Sequence, residues 1–348
     1  MKREKVALLF GGRSDEHEVS IMSARSVYEN IDKRKYEVIP FAISKKGFWN
    51  NPQFSEKILQ DNYNKVPETN TKNIRKSIIS FLEKNIDIAF PLIHGPYGED
   101  GRIQGFLEII GIPYVGAGVL GSALAMDKIT TKRLLEKQNI PQARYTILNK
   151  DEFISNSLKW IEKEIISAFE YPVFVKPSSL GSSIGISKVN NSSQLQKAFK
   201  NAFNYDNRIL IEENIKGREI ECSVLGNKEI IVSKPGEIKP VHEFYDYDAK
   251  YKEETGTELI IPVEVPEKIK KILRELSIKV YKLLNIKGMA RVDFFYIEKE
   301  NRVLINEINS IPGFTIYSMY PQLWEVSGLS YMELINKLLK LAKEKGIK

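Results

Sequence analysis

Short apolar runs alternate with amphipathic stretches through the first third of the chain. Val6–Phe10 is a continuous apolar run ending in Gly11-Gly12; a polar turn, Arg13–Glu16, and a predicted helix from about Val19 follow. Tyr36–Ile43 and Asp87–Ile93 are further buried-strand candidates, bounded by polar, Gly or Pro residues. Strands alternating with helices predict a parallel α/β sheet. Between them Asn50–Lys76 is polar, rich in Asn and Lys, and reads as a surface insertion. Ile112–Val115 is a further short strand, and Ser122–Gln138 reads as one helix.

From Tyr171 the pattern turns to β, with strands predicted at Pro172–Lys176, Ile184–Val189, Arg208–Glu213, Arg218–Leu225 and Glu229–Ser233. Ile269, Ile272, Leu273, Leu276, Val280, Leu283 and Leu284 form one stripe and predict a helix over Glu267–Leu284, with Pro266 at its entry. Gly288–Ile297 and Val303–Ile308 are two more strands, and Tyr331–Lys345 is an amphipathic helix. The pattern is an α/β unit followed by a mixed α+β region that divides in two.

A length of 348 residues predicts two to three compact units and needs no disulfide staple. The single cysteine, Cys222, has no partner in the chain, which points to a reducing, cytoplasmic compartment. No run approaches the ~18 apolar residues of a membrane helix. The basic start has only five apolar residues behind it, too few for a secretion signal's apolar core. The net charge of +7 raises a nucleic-acid hypothesis, but Lys and Arg are scattered among acids and no basic block interleaves with aromatics.

Gly116, Gly118 and Gly121 match GxGxxG between a strand and a helix, yet lie far into the chain without the expected βαβ surround; a plain tight connection is the preferred reading. No Gly-Lys pair exists, so there is no Walker A loop. The segment Lys176–Gly185 reads equally as a phosphate cradle, with Lys176 as point charge, or as a hairpin with a Gly/Ser tip. Arg291 and Asp293 share one strand face, as do Glu307 and Asn309 on the next strand. Their oxygens suit Mg²⁺, held by carboxylates and substrate phosphates; a half-exposed charged sheet face is the alternative. The Gly-rich loop His94–Gly101 and the polar loop Ser14–Glu18 share the carboxyl rim of the parallel sheet, where α/β proteins bind ligands. Three scattered His and one Cys do not make a zinc site.

Taken together, these segments resemble the D-alanine–D-alanine ligase family of the ATP-grasp superfamily, over nearly the whole chain. His94, Gly98–Gly101 and Ile103–Gly105 are similar to its first signature. Gly288, Ala290, Arg291 and Asp293, then Glu307, Asn309, Pro312 and Gly313, are similar to its second. Met126–Lys128, Lys176–Gly185 and Phe244–Tyr251 lie between them in the family order. The resemblance implies a three-domain ATP-grasp fold: an N-terminal parallel α/β substrate-binding domain (1–121), then two α+β domains (122–211 and 212–348) clasping the nucleotide.

It also implies roles. Lys128, Lys176 and Lys250 would contact ATP phosphates, with Ser182, Ser183 and the glycines covering them. Glu212, Glu213, Ile215 and Glu219 would hold adenine and ribose, although Glu213 is acidic where many relatives carry Lys. Asp293, Glu307 and Asn309 would bind two Mg²⁺, with Mn²⁺ as an alternative. Glu16 would pair with the ammonium of the first D-alanine and His94 would lie near its carboxylate. Arg291 and the Gly313 N–H would form the oxyanion site, and Ser318 and Met319 would contact the second D-alanine. Ser182, Tyr251 and Glu16 would share a hydrogen-bond network that closes the loops. The implied activity is ATP-dependent joining of two D-alanines through a D-alanyl phosphate, for peptidoglycan synthesis. The alternative is a D-alanine–D-serine or D-lactate ligase of the vancomycin-resistance type; Tyr251 argues against lactate, and Met319 is apolar where several such ligases carry Arg. A cytoplasmic homodimer acting on small molecules, with no nucleic-acid or membrane partner, completes what the resemblance implies.

Overall fold

A computed structural model describes residues 2–68, 73–240 and 257–346. Val6–Phe10 forms the centre of β1 (Glu4–Gly11) and is wholly buried, as a continuous apolar run is when helices cover both faces of a parallel sheet. β1 lies between β2 (Tyr36–Ile43) and β3 (Ile88–Pro91) and is parallel to both. The strand predicted at 112–115 shrinks to one parallel bridge, Ala89 to Tyr114. Pro113 has no N–H for a ladder, and Gly111 and Gly116, at φ 73° and 98°, turn the chain on either side.

The 50–76 segment is not a surface insertion. Pro52–Gln60 is a helix capped by Asn51, whose side chain accepts from the Phe54 N–H, and Ile58, Leu59 and Val66 join the core beneath the sheet. The abundance of Asn and Lys hides that narrow apolar stripe. The predicted helix 122–138 is two helices, Val119–Met126 and Lys128–Lys137. Asp127 breaks them at ψ 97° because its carboxylate accepts from the Thr130 N–H at 2.7 Å and caps the second.

A second, antiparallel sheet contains β4 (Tyr145–Asn149), β5 (Val173–Pro177), β6 (Ser187–Val189) and β7 (Arg208–Glu213), in the order β4-β7-β5-β6. The helix Leu195–Phe203 covers one face, with Phe199 and Phe203 against Phe153. The third sheet contains β8 (Arg218–Gly226), β9 (Ile230–Val232), β10 (Gly236–Pro240), β11 (Thr257–Ile260), β12 (Gly288–Ile297) and β13 (Arg302–Asn309). Its order is β11-β10-β8-β12-β13, with β9 on β8. Ile220, Cys222, Val224, Val292 and Phe294 turn one face onto the helix Glu267–Leu283, which meets them with Ile269, Leu273 and Val280. The alternation that buries these side chains turns their neighbours to the opposite face. The last helix, Tyr331–Lys345, returns to the first unit, where Leu334, Leu338 and Leu339 share a core with Val6, Leu8 and Phe90.

Candidate active site

The open face of the third sheet is charged. On β12 and β13, Arg291 stands opposite Asn309 and Asp293 opposite Glu307, with a bulge after Asp293. On the other side of β12, Asp293 stands opposite Glu221 and Phe295 opposite Glu219. The Arg291 guanidinium donates to both oxygens of Asp293 at 2.8 Å and lies 2.9 Å from Glu221 Oε2. Burial works against that charge, but the surrounding carboxylates hold the Arg291 pKa well above its usual value. Asn309 donates to Asp293 Oδ2 at 2.9 Å, and Lys128 Nζ lies 4.0 Å from Glu307.

Across from this face, the helix Lys128–Lys137 and the end of β5 carry lysines. Lys128 donates to the Leu180 carbonyl, and its own N–H donates to the Ser178 carbonyl at 2.9 Å. Asp127 ties the base of the same loop down, accepting from Ser178 Oγ at 3.0 Å and from Arg208. Ser182 and Ser183 lie at φ 50° and 58°, a left-handed conformation uncommon for residues with a Cβ. Lys176 donates to Glu212, whose other oxygen lies 2.7 Å from Lys132 Nζ. Burial alone would raise the Glu212 acid; the two ammoniums outweigh it and pull the pKa down to about 2. Glu213 turns to the rim, accepting from the Arg144 N–H at 2.7 Å and its guanidinium at 2.8 Å.

The third wall belongs to the first unit. Ser182 reaches across to donate to Glu16, the residue that begins the helix His17–Asn30. Glu16 fits there because two glycines flank it: a Cβ on Gly95 would lie 2.7 Å from its Oε2, and one on Gly181 3.4 Å. Glu99 accepts from the N–H groups of Gly95 and Ile311, at 2.9 and 3.0 Å. Burial, reinforced by Glu16, pushes its acid up to about 8. His94 is buried, and burial lowers its pKa. The Ile311 carbonyl can only accept, so Nδ1 carries the proton and donates to it at 3.0 Å, while Nε2 accepts from Ser23 Oγ at 2.9 Å. Ser23 in turn accepts from the Phe314 N–H at 3.2 Å. His94 therefore clamps the turn around Gly313 rather than reaching the cavity.

These walls enclose a cavity of about 710 Å³. Lys128, Lys176, Ser182, Ser183, Glu212, Glu213, Ile215 and Glu219 line one side of it. Arg291, Asp293, Glu307, Gly313, Ser318 and Met319 line the other. Glu16, His94 and Asn309 stand behind that lining, and Lys250 and Tyr251 lie outside the described residues. Ser318 accepts from the Thr315 N–H at 3.1 Å and begins the helix Met319–Val326. Among the described residues no three His, Cys, Asp or Glu side chains converge as a metal cluster. Two facing carboxylates and an amide are nonetheless a hard-oxygen donor set of the kind that holds Mg²⁺ together with substrate phosphates.

Residues 5–117 match the family profile described as "D-ala D-ala ligase N-terminus", and residues 134–340 match "D-ala D-ala ligase C-terminus". The chain belongs to the D-Ala-D-Ala ligase family. It is 50% identical to the D-alanine--D-alanine ligase of Halothermothrix orenii over 344 residues, 99% of each chain. The solved D-alanine-D-alanine ligase of Coxiella burnetii superposes with a TM-score of 0.82 at 35% identity, covering 99% of this chain and 95% of that one. The VanG D-Ala:D-Ser ligase of Enterococcus faecalis gives the same TM-score and identity, covering 98% and 100%. The fold is the ATP-grasp arrangement of this family.

Within this D-Ala-D-Ala ligase family member, three site residues carry no role in the sequence reading. Glu221 lies two positions from Glu219 on the same strand face, a signal that period two contains. Glu99 sits inside the first signature, but its link to Ile311 spans 212 positions. Lys132 follows Lys128 by one helical turn, and nothing in the helix pattern marks which of its polar residues turn inward.

Proposed function

We propose that this chain joins two D-alanine molecules at the expense of ATP, releasing ADP and phosphate. The observation that carries this is one cavity lined by lysines with a Gly/Ser loop and by a carboxylate and arginine sheet face, with Glu16 of a separate unit held to that loop through Ser182. Lys128 and Lys176 are suited to hold the phosphates, and Glu212, Ile215 and Glu219 the nucleoside end. Mg²⁺ (or Mn²⁺), held by Asp293, Glu307 and Asn309, would offset phosphate charge. Glu16 takes the ammonium of the first D-alanine, whose carboxylate attacks the γ-phosphate to give an acyl phosphate and ADP. The amine of the second D-alanine then attacks the acyl carbon and phosphate leaves. Arg291 and the Gly313 N–H face the oxyanion formed in that step, where fixed donors in a recessed site act most strongly. His94 serves by holding the Gly313 turn. Ser318 and Met319 are placed at the second amino acid.

The Ser182–Glu16 contact joins two units across the cavity, which suits closure against water during the life of an acyl phosphate. The D-serine alternative is not favoured, since relatives at 50% and 47% identity are named D-alanine--D-alanine ligases. The three-unit division stands as a proposal, with the last helix assigned to the first unit whose core it shares. Cytoplasmic location and a homodimer are part of the same proposal. Phosphate release measured across a panel of D-amino and D-hydroxy acids tests the substrate. D-Alanine alone should support full turnover with Mg²⁺ present. Preference for D-serine or D-lactate beside D-alanine overturns it.

A further inference from the structure

Lys132 is 4% exposed, yet it stands one helical turn beyond Lys128, which lines the cavity. Its ammonium lies 2.7 Å from Glu212 Oε1, on the side of the carboxylate away from Lys176. The Tyr145 ring, opposite Glu212 in the β4–β7 register, lies with its centroid 5.4 Å from the same ammonium. Gln142 fixes the backbone there, donating to the Lys132 carbonyl at 2.8 Å. Lys132 itself is not among the residues facing the cavity, whereas Lys176 and Glu212 are.

The arrangement is a row of three charges, plus, minus, plus, with only one end open to a ligand. A lone Lys176–Glu212 pair would be neutral, and the lysine would have to surrender its carboxylate in order to meet a phosphate. With Lys132 behind it, Glu212 stays compensated and the unit keeps one positive charge facing the cavity. Glu307 and Glu219 also act on Lys176 from the cavity side, so the compensation that Lys132 gives Glu212 matters for how strongly Lys176 attracts an anion. We propose that Lys132 is a positioning residue for the nucleotide: it holds Glu212 in place and leaves Lys176 available to the phosphates. This rests on the ligase reading for its substrate, but not for its test.

The test is ADP binding by titration calorimetry to the full chain, with ADP and D-alanine kinetics alongside. Lys132→Met should weaken ADP about tenfold, the size of effect one recessed charge can exert. It should raise the KM for ATP in step and leave the KM for D-alanine within about twofold. Lys132→Arg should restore most of the affinity. In a Glu212→Gln background there is no carboxylate to compensate, so adding Lys132→Met should change ADP affinity less than about twofold. Lys132→Arg keeps the charge, so it decides the proposal where Lys132→Met or the Glu212→Gln variants fail to fold: an ADP affinity within about twofold of wild type supports it and a tenfold loss overturns it. Unchanged ADP affinity in Lys132→Met, or a tenfold loss that persists in the Glu212→Gln background, overturns the proposal. Wild-type protein that binds ADP but does not turn over with D-alanine would defeat the ligase reading alone.

Discussion

Glu99 and Glu212 are the same side chain, both buried, one in the first unit and one lining the cavity, and they are driven to opposite protonation states. Burial and the neighbouring Glu16 raise Glu99 to about 8, while Lys132 and Lys176 overcome burial and lower Glu212 to about 2. The donors on Glu99 are uncharged: the amides of Gly95 and Ile311 and the Ser310 hydroxyl. Those on Glu212 are ammoniums. Burial sets what a charge costs; the partner decides whether the charge is kept. Glu16, whose charge acts on Glu99, suits an incoming ammonium. The wall around Glu212 holds a surplus of positive charge and suits phosphate.

Removing Glu212 breaks the comparison most severely. Glu212→Ala leaves two adjacent lysines uncompensated and should cost about 3–5 kcal/mol of stability, read from urea unfolding. Its acid-side signature follows from the depressed pKa. The stabilisation Glu212 provides is present above the ordinary carboxylate range and fades as pH falls toward about 2. The next largest effect separates the walls by function. Glu16→Gln should raise the KM for D-alanine by about tenfold or more while ADP affinity stays within about twofold, the reverse of Lys132→Met. Equal losses of both would mean that the walls are not electrostatically distinct.

A third prediction concerns pH. Glu99 has a folded pKa raised above its unfolded value, so it favours the folded state at low pH and that contribution is lost as pH rises through about 8. His94 has the opposite sign, because its lowered pKa makes stability fall as pH drops below about 6.5. Between pH 6.5 and 8 the buried Lys345, its pKa lowered to about 7, adds stability as pH rises and opposes Glu99, so the quantity to measure is the difference between wild type and Glu99→Gln. Relative to Glu99→Gln, the wild type should lose on the order of a kcal/mol or more as pH rises from 6.5 to 8. The smallest effect is at the exposed rim. Arg144→Ala removes the Glu213 ion pair, in which Arg144 is 65% exposed, and should change stability by less than about 1 kcal/mol.

The two walls were not equally legible in the chain. Arg291, Asp293, Glu307 and Asn309 could be placed on one face because strands alternate with period two, and the observed register pairs them as that period requires. His94 and Lys176 stood out through their glycine-rich loops and Glu16 through its polar loop on the same sheet rim, while their roles came from the family resemblance. Lys132 and Glu99 escaped because their significance lies in partners 80 and 212 positions away, which no local pattern encodes. His94 was expected beside a substrate carboxylate; its two nitrogens are instead committed to Ser23 and Ile311. Among the strands, β4, β10 and β11 were missed because their pairing partners, not a local apolar run, define them. The stripe Ile58–Leu59 was hidden by the polar residues around it.

The central claim is that the anion-ready and cation-ready walls serve one reaction. The direct measurement is the yield of D-alanyl-D-alanine per ADP when purified protein is given ATP, Mg²⁺ and either D- or L-alanine. One dipeptide per ADP with D-alanine, and neither product with L-alanine, is the predicted result. ADP formed with L-alanine but not with D-alanine, or formed with D-alanine without dipeptide, would contradict it.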